Sequence, residues 1–289
     1  MGKSKIVGDF SKWNVITDYK KAAEALDGAI LRIGYRSSKE GKLTEDPKFK
    51  THLNGFISRI PVGVYFFTTA VTNIEAMDEA MWVINTLKKY RVANKLRFPI
   101  AIDTEWCNKD HSGRSDKLYK DIRTDIVSIF CEYLESCGYD AMIYASDDWF
   151  VSQLEYEKIK KFKKWVARYS SSKPSKATDN VVGWQKTDNY ECPGVTKGID
   201  ISEWYDDIKK AESNIKVSNK VPIIVAGAKV SLVNEKLYSS SSNKTPATFI
   251  TGDFYIWSPA TSNGKIRITN KPEYAGVLSK VTGWIDIPK

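Results

Sequence analysis

The sequence predicts an irregular α/β barrel of the TIM type followed by a small all-β domain. Up to residue 208, strand-like apolar segments alternate with amphipathic helix-like segments, which is typical of parallel barrels. The connectors between the last three of these strands are short and rich in Pro, Gly and Ser. Beyond residue 226, short alternating runs are separated by turn-rich pieces. We therefore expect five strand–helix units and three further strands, written (β/α)5(β)3, before the β domain.

The barrel strands are predicted from apolar runs bounded by polar or turn residues. Eight runs qualify, and we expect them to form one closed parallel barrel. They are Ile6–Ser11, Ala29–Tyr35, Pro61–Phe67, Phe98–Trp106, Asp140–Ser146, Lys164–Tyr169, Val181–Lys186 and Gly198–Trp204.

Two of the intervening helices have clear apolar stripes at three- and four-residue steps. One stripe runs from Ile74 to Leu87 and the other from Ile122 to Leu134. Thr72 and Glu75 have the spacing of a capping box, so the first of these helices should begin there.

We divide the chain into a barrel (1–208), a linker (209–226) and a β domain (227–289). The strands expected in the last part are Lys229–Leu232, Phe254–Trp257, Lys265–Thr269 and Gly283–Ile287.

The composition limits the available chemistry. His52 and His111 are the only two histidines, so a serine–histidine triad or a multi-histidine metal site is nearly impossible. The four cysteines lack C-x-x-C spacing and are expected to be ordinary thiols. We expect no metal and no cofactor, and we expect carboxylates to perform any acid–base chemistry.

The net charge favours a polyanionic partner. The chain carries 44 basic and 35 acidic residues, a difference of +9, which leaves nucleic acid, an anionic membrane surface or a bacterial wall polymer open. No apolar run reaches the length of about 20 residues that a membrane helix needs. The start also lacks the apolar region of a signal peptide, so we expect synthesis in the cytoplasm without export by that route.

The strongest chemical motif is the end of the fourth predicted strand. Asp103 and Glu105 are two residues apart, so strand alternation places both side chains on one face. The carboxyl end of a barrel strand lines the mouth where active sites form. Two close carboxylates separate their pKa values, which supplies an acid beside a base or an electrostatic stabiliser. Glycoside hydrolysis uses such a pair, although an acidic loop after a strand would give the same motif.

Two further carboxylates strengthen this interpretation. Asp9 and Asp200 each head a similar string, Asp-Phe-Ser-Lys-Trp and Asp-Ile-Ser-Glu-Trp, in the first and last predicted strands. These strands are neighbours in a closed barrel, so we expect the two side chains to lie side by side at the mouth.

These motifs, in this order, resemble those of glycoside hydrolase family 25, the muramidases that include many phage and bacterial lysozymes. The resemblance covers about residues 5–208. It rests on Gly8-Asp9-Phe10-Ser11, Gly63-Val64-Tyr65-Phe66-Phe67, Ile102-Asp103-Thr104-Glu105, Tyr144, Trp184-Gln185 and Gly198-Ile199-Asp200-Ile201-Ser202. It implies an irregular barrel that cleaves the β-1,4 bond between N-acetylmuramic acid and N-acetylglucosamine.

The resemblance also implies roles for the carboxylates. Glu105 would be the general acid, and Asp103 would stabilise developing positive charge or orient the substrate N-acetyl group. Asp9 and Asp200 would complete the acidic floor and bind sugar hydroxyls.

Other site residues follow from the same motifs. Tyr65, Tyr144, Trp184 and Gln185 would line the substrate groove, with core packing as the alternative for each aromatic ring. Arg36 departs from the family pattern and is expected to affect subsite preference.

The β domain resembles the bacterial SH3-like modules that attach wall hydrolases to their substrate. Tyr255, Trp257 and Trp284 are the candidate wall-binding residues, and core packing is an equally weighted alternative. The same domain could also serve for oligomerisation.

The combined prediction is a peptidoglycan hydrolase, a phage endolysin that acts on Gram-positive walls once a holin opens the membrane. Its partners would be peptidoglycan and associated anionic wall polymers, without membrane insertion. A non-catalytic carbohydrate-binding barrel is the alternative. A nucleic-acid binder is disfavoured, because no zinc-finger or phosphate-loop motif accompanies the basic residues.

Overall fold

The computed structural model describes residues 4–208, 227, 229–262, 264–275 and 278–286. The predicted linker 209–226 lies outside the described residues. Two separate sheets are present, one of nine strands and one of four.

The first sheet and its helices comprise these elements, in chain order: β1 Lys5–Phe10, α1 Tyr19–Glu24, β2 Gly28–Arg36, β3 Leu43–Glu45, α2 Phe49–Phe56, β4 Val62–Phe67, α3 Asn73–Lys89, β5 Ile100–Asp103, α4 Lys120–Ser136, β6 Ala141–Ser146, α5 Asp147–Ser152, α6 Tyr156–Ile159, β7 Lys163–Ala167, β8 Val181–Tyr190 and β9 Ile199–Trp204.

Eight of these strands form a closed barrel. Their order is β1-β9-β8-β7-β6-β5-β4-β2, and the parallel pairing of β1 with β2 completes the circle. The short β3 extends β2 as a hairpin outside the circle and was not predicted. Helices occupy the first five connections between barrel strands, which confirms the (β/α)5(β)3 arrangement.

The expectation of a wholly parallel barrel is wrong at the last strand. β9 is antiparallel to both of its neighbours, β8 and β1. A parallel crossover needs about a dozen residues. The connector between β7 and β8 is long enough for such a crossover, and β8 is parallel to β7. Only residues 191–198 separate β8 from β9, so β9 runs back antiparallel to β8.

Strand alternation divides the apolar side chains of the barrel into two layers. Ala29, Leu31 and Ile33 of β2 face outward and pack in the main core against the helices. Ile30 faces inward and joins an apolar cluster in the barrel with residues such as Val7 and Trp204. This cluster fills the barrel below its mouth.

The helix α3 begins as its capping sequence predicts. Thr72 is the N-cap, and its Oγ1 accepts a hydrogen bond from the Glu75 N–H at 3.2 Å. The reciprocal half of the capping box is absent, because the Glu75 carboxylate accepts instead from the Val71 N–H and from Arg114.

The second sheet is an antiparallel meander of β10 Lys229–Leu237, β11 Thr248–Ser262, β12 Lys265–Thr269 and β13 Gly283–Asp286. Its core includes Leu232, Ile256, Ile268 and Ile285. None of the helices in the described part of the chain has the length and apolarity that a membrane span requires.

Candidate active site

The barrel interior changes from apolar to charged toward the mouth. In β2, Ile30 in the apolar cluster is followed two residues later by Arg32, and in β5, Ala101 is followed by Asp103. Alternation keeps each such pair on the inner face. The mouth is a groove of about 500 Å³. Its lining includes all four predicted carboxylates together with Tyr65, Tyr144 and Gln185.

The antiparallel last strand brings Asp9 and Asp200 together. The β1–β9 ladder ends at the pair Gly8 and Ile201, so the next residues, Asp9 and Asp200, are neighbours just beyond it. Asp9 therefore lies near the end of its strand and Asp200 near the beginning of its own. Burial raises the pKa of Asp9, and the neighbouring Asp200 carboxylate raises it further.

A chain of hydrogen bonds fixes the groups on one side of the floor. Tyr144 donates to Gln185 Oε1 at 2.7 Å, and Gln185 Nε2 donates to Asp9 Oδ2 at 3.2 Å. The Tyr169 hydroxyl lies 3.1 Å from Gln185 Oε1 and 3.2 Å from Asp200 Oδ1. Gln185 thus links the phenols to the acidic pair, which gives it a positioning role that the sequence motif alone did not define.

Glu105 has the properties of a general acid. Its side chain opens onto the groove, but protein surrounds the carboxyl closely enough that loss of bulk water raises its pKa. The charge of Asp200 adds to this effect and Arg32 opposes it, so that the pKa of Glu105 is raised to about 7. A carboxyl with this pKa still holds its proton near neutral pH and can donate it to a leaving group.

The other three acids of the floor also resist ionisation. Burial is the main cause of the raised pKa of Asp9, Asp103 and Asp200. Glu105 is the next contributor for Asp103, and a hydrogen bond from Tyr169 partly offsets the effect on Asp200. Asp103 Oδ1 is buried and has no hydrogen-bond partner within the described chain.

Arg32 is the cation of the floor, and the sequence analysis missed it. Its Nε donates to Asp46 Oδ2 at 2.7 Å, while its Nη2 is buried without a partner among the described residues. Arg32 lowers the pKa of Asp9, Asp103 and Glu105. An arginine inside an otherwise apolar strand was the sequence feature that could have indicated this role, because a buried charge is costly unless partner groups stabilise it.

Trp184 is the one predicted groove residue that the structure places elsewhere. It is buried beside the strand, where its indole N–H donates to the Arg168 carbonyl oxygen at 2.8 Å, and it does not line the groove. Gln185 does line the groove, and adjacent strand residues point to opposite faces. Trp165 supplies the indole instead, with Nε1 donating to Ser202 Oγ at 2.8 Å.

Several rim residues were also missed. Trp13, Tyr35, Trp106 and Tyr169 line the groove, and Trp13 is 73% exposed. They lie on loops or at strand ends whose distance from the floor depends on the fold, so local spacing gave no signal.

Arg36 is held by protein groups instead of being free for substrate. Its Nε donates to Glu79 Oε1 at 2.7 Å, and its Nη atoms donate to the carbonyl oxygens of Gly41 and Glu75. Burial raises the pKa of Glu79 to about 7, although Arg36 and Thr68 oppose that shift. These contacts tie β2 to α3, while Arg36 also belongs to the groove lining, so its effect on subsite preference stays a prediction.

The histidines take no part in the floor. His52 is buried, with Nδ1 2.8 Å from the Tyr19 hydroxyl and Nε2 3.1 Å from the Ser11 carbonyl oxygen. His111 stacks on Trp106 with ring centroids 4.0 Å apart. Across the described segments, no cluster of His, Cys, Asp or Glu is arranged to hold a metal ion.

The predicted wall-binding aromatics of the second sheet differ in exposure. Trp257 is buried, whereas Tyr255 and Trp284 are half-buried. The Arg267 guanidinium lies 4.9 Å from the Trp257 ring centre and 4.5 Å from that of Trp284. Packing therefore accounts for Trp257, and the other two rings retain accessible surface.

Four carboxylates form the floor of a groove at the mouth of a (β/α)5(β)3 barrel. This arrangement agrees with the one family model that matches the chain. The model of glycosyl hydrolases family 25 matches residues 8–195. The chain belongs to this family. No curated protein matches the chain.

Solved structures support the family assignment. The modular autolysin LytC from Streptococcus pneumoniae is 27% identical, with a TM-score of 0.62 over 71% of this chain and 48% of its own. This family 25 chain thus spans about half the length of that autolysin.

Two more distant structures share the fold. The catalytic domain of an endolysin from bacteriophage P40 of Listeria monocytogenes is 19% identical, with a TM-score of 0.56 over 72% of this chain and 96% of its own. The Clostridium perfringens spore cortex lytic enzyme SleM is 18% identical, with a TM-score of 0.59 over 100% of both chains.

Proposed function

We propose that this family 25 protein is a peptidoglycan hydrolase of the N-acetylmuramidase type, a lysozyme. It would cleave the β-1,4 bond between N-acetylmuramic acid and N-acetylglucosamine. The observation that carries the proposal is Glu105, whose pKa is raised to about 7 in a groove shared with three other carboxylates. The autolysin from S. pneumoniae, which is 27% identical, has been solved with a synthetic peptidoglycan ligand.

In this mechanism Glu105 protonates the glycosidic oxygen as the bond to the sugar breaks. Positive charge then develops on the sugar ring, carboxyl oxygens of the floor stabilise it, and water adds to the anomeric carbon to complete the hydrolysis. Asp103 is suited to that task or to orienting the N-acetyl group, because its unpartnered Oδ1 is free for a substrate contact. Asp9 and Asp200 would bind sugar hydroxyls.

The test is product analysis on purified Gram-positive walls. We expect the protein to clear a wall suspension and to release new reducing ends, with N-acetylmuramic acid at the newly formed end. Glu105→Gln should abolish both signals because the amide cannot donate the proton. Full activity of Glu105→Gln, or release of amino groups without reducing ends, would contradict the proposal.

That test also separates the non-catalytic alternative. A carbohydrate-binding barrel would bind walls without releasing reducing ends, whether position 105 is Glu or Gln. The four carboxylates and the raised pKa of Glu105 favour turnover.

We further propose that the chain acts as a phage endolysin, released to the wall by a holin, with the second sheet as an SH3-like wall-binding module. Support comes from the separate four-stranded sheet and from its charge: residues 221–289 hold 8 basic and 4 acidic side chains, a difference of +4. Positive charge favours association with anionic wall polymers.

The full-length Glu105→Gln protein provides the binding test, because it should bind walls without digesting them. Replacing Tyr255 and Trp284 together with alanine should reduce the fraction that sediments with walls. Unchanged sedimentation would reject the wall-binding role. A shift in the size of the protein in solution after the same replacement would indicate oligomerisation instead.

A further inference from the structure

The groove continues on both sides of Glu105 and has two arms. The first arm consists of Lys12, Trp13 and Tyr35, which line the groove together with the acidic floor. The second arm consists of Asp148, Arg168 and Lys176, which line a cavity that shares Glu105 with the first. A glycan strand bound across Glu105 would contact both arms.

The cations of the second arm are neutralised by neighbouring carboxylates. Arg168 Nη1 lies 3.2 Å from Asp147 Oδ2, and Lys176 forms an ion pair with Asp148. Asp148 remains largely exposed. This arm therefore offers little attraction to a negatively charged group.

The first arm carries a cation that is not neutralised. Lys12 Nζ lies 4.7 Å from the ring centre of Trp13 and 5.2 Å from that of Tyr35, and it forms no ion pair with the described residues. Aromatic faces hold a cation in place but leave its charge available to a ligand.

Asp46 connects the first arm to Arg32. The Lys12 N–H donates to Asp46 Oδ2 at 3.0 Å, and that oxygen also accepts from Arg32 Nε. The Arg32 guanidinium lies 5.6 Å from the Tyr35 ring centre, and its Nη2 has no partner among the described groups. Asp46 thus holds the Lys12 backbone beside the Arg32 guanidinium and neutralises Arg32, which leaves Lys12 as the cation of this arm without a carboxylate partner among the described residues.

The floor presents four carboxyl groups and offers an anion little attraction, so we expect a negatively charged substituent of a bound glycan to lie away from it. We propose that the Lys12–Trp13–Tyr35 arm is the subsite for the carboxylate-bearing substituent of a muramic acid residue, with Trp13 packing on a sugar ring and Lys12 pairing with the carboxylate. This inference rests on the proposed function, since it specifies which end of the groove receives the substituted sugar. It orients the glycan strand in the groove.

The carboxylate has two sources that share this chemistry. One is the lactyl group of a muramic acid residue that has lost its peptide, and the other is a carboxyl group of the stem peptide. Comparing peptide-free with peptide-bearing glycans distinguishes them.

The experiment measures binding to the full-length Glu105→Gln protein, which need not cleave the ligand, by titration calorimetry. Three soluble ligands are compared: a chito-oligosaccharide without carboxylates, a peptide-free muramic glycan and the same glycan with stem peptides. Each is titrated into Glu105→Gln alone and combined with Lys12→Met or Lys20→Met. Met keeps an unbranched apolar side chain and removes the charge, and Lys20 is an exposed lysine on α1 that serves as the matched control.

We expect Lys12→Met to weaken binding of at least one carboxylate-bearing ligand by about tenfold. The chito-oligosaccharide should change by less than about twofold, and the loss should shrink at high salt. Retained chito-oligosaccharide binding also shows that the variant is folded. Lys20→Met should change none of the three values.

Equal losses for all three ligands, no loss for any of them, or no binding of the muramic glycans would overturn the subsite. These outcomes are independent of turnover. If Lys12 discriminates between the ligands but the Glu105 protein releases no reducing ends from walls, the subsite stands and the muramidase proposal fails.

Discussion

The barrel holds two sets of buried carboxylates that differ in the donors around them. At the start of α5, Asp147 accepts from the N–H groups of Ser175, Lys176 and Ala177 at 2.9–3.0 Å. On the floor, Asp103 is equally buried, yet one of its oxygens has no partner within the described chain.

Different donors, together with different neighbouring charges, produce opposite pKa shifts, because Asp103 lies among Glu105, Asp9 and Asp200 whereas Arg168 lies beside Asp147. Burial alone would raise the pKa of Asp147, but the backbone donors outweigh it and the pKa is lowered. No comparable set of donors offsets burial at Asp103, and its pKa is raised. Carboxylates supplied with donors stabilise the fold, whereas those left without them keep protons and free oxygens available for a ligand.

Glu105→Gln should give the largest effect on activity. We expect a loss of about 10³-fold in the rate of wall hydrolysis, because the general acid is removed. Stability should not fall, since the raised pKa of Glu105 means that its ionisation is disfavoured in the folded state.

The pH dependence of unfolding checks the second part of that prediction. The stability of Glu105→Gln relative to the parent should increase as the pH rises from about 4.5 to about 7. Chemical denaturation at several pH values measures this. If the parent protein is more stable than the variant at pH 8, Glu105 stabilises the fold in the same way as Asp147, and the prediction is wrong.

Asp147→Ala should give the largest effect on stability. Three backbone N–H groups lose their acceptor, and we expect the free energy of unfolding to fall by about 3 kcal/mol. Because the folded pKa of Asp147 is lowered, its contribution is present above the unfolded value and lost as pH falls through the folded one. The difference between parent and variant should therefore narrow in acid, as measured by denaturant titration.

Asp148→Ala is the control for this position. Asp148 is the next residue and is exposed, so removal of its surface ion pair should cost less than about 1 kcal/mol. A similar loss of unfolding free energy in both variants would mean that any substitution in this part of α5 destabilises the protein, and that the hydrogen bonds to Asp147 are not the cause.

Arg32→Gln should move the pH profile of the enzyme. In the parent, kcat/KM should fall as pH rises through about 7, because Glu105 loses its proton there. Arg32 lowers the pKa of Glu105, so its removal should shift this descending limb to higher pH. If kcat/KM of Arg32→Gln is lower at every pH but its descending limb stays at the same pH, Arg32 acts only through packing against its neighbours.

Tyr169→Phe should have the smallest effect. It removes a hydroxyl that contacts both Gln185 and Asp200, and the pKa of Asp200 should rise without it. We expect kcat/KM to fall by about three- to tenfold, since one hydrogen bond to a charged group is lost. The ring remains, so thermal unfolding should change little. A loss as large as that of Glu105→Gln would place Tyr169 in the proton transfer itself.

The barrel was readable from the sequence wherever local patterns determine structure. The apolar runs located all eight barrel strands, and the motif Asp103-x-Glu105 located the centre of the groove. Asp9 and Asp200 were expected together for an incomplete reason. In a parallel last strand, Asp200 near the strand start would lie at the closed end of the barrel.

The remaining site residues depend on contacts between distant segments. Lys12 and Arg32 share Asp46, which lies 34 and 14 positions away in the chain, and no local pattern reports such a contact. The Trp184 prediction was avoidable, because two adjacent strand residues cannot both face the groove. Trp165 also lies in a predicted strand, but choosing it required knowledge of which face turns inward.

The reversed final strand also determines where the chain leaves the barrel. β9 begins at the mouth with Asp200 and ends with Trp204 in the apolar cluster, where Ile208 packs against it. A parallel strand would have delivered the following segment to the entrance of the groove. Instead, Ile208 lies at the opposite end of the barrel, beside Lys5 and Pro61, so the described chain leaves the barrel on the side away from the groove.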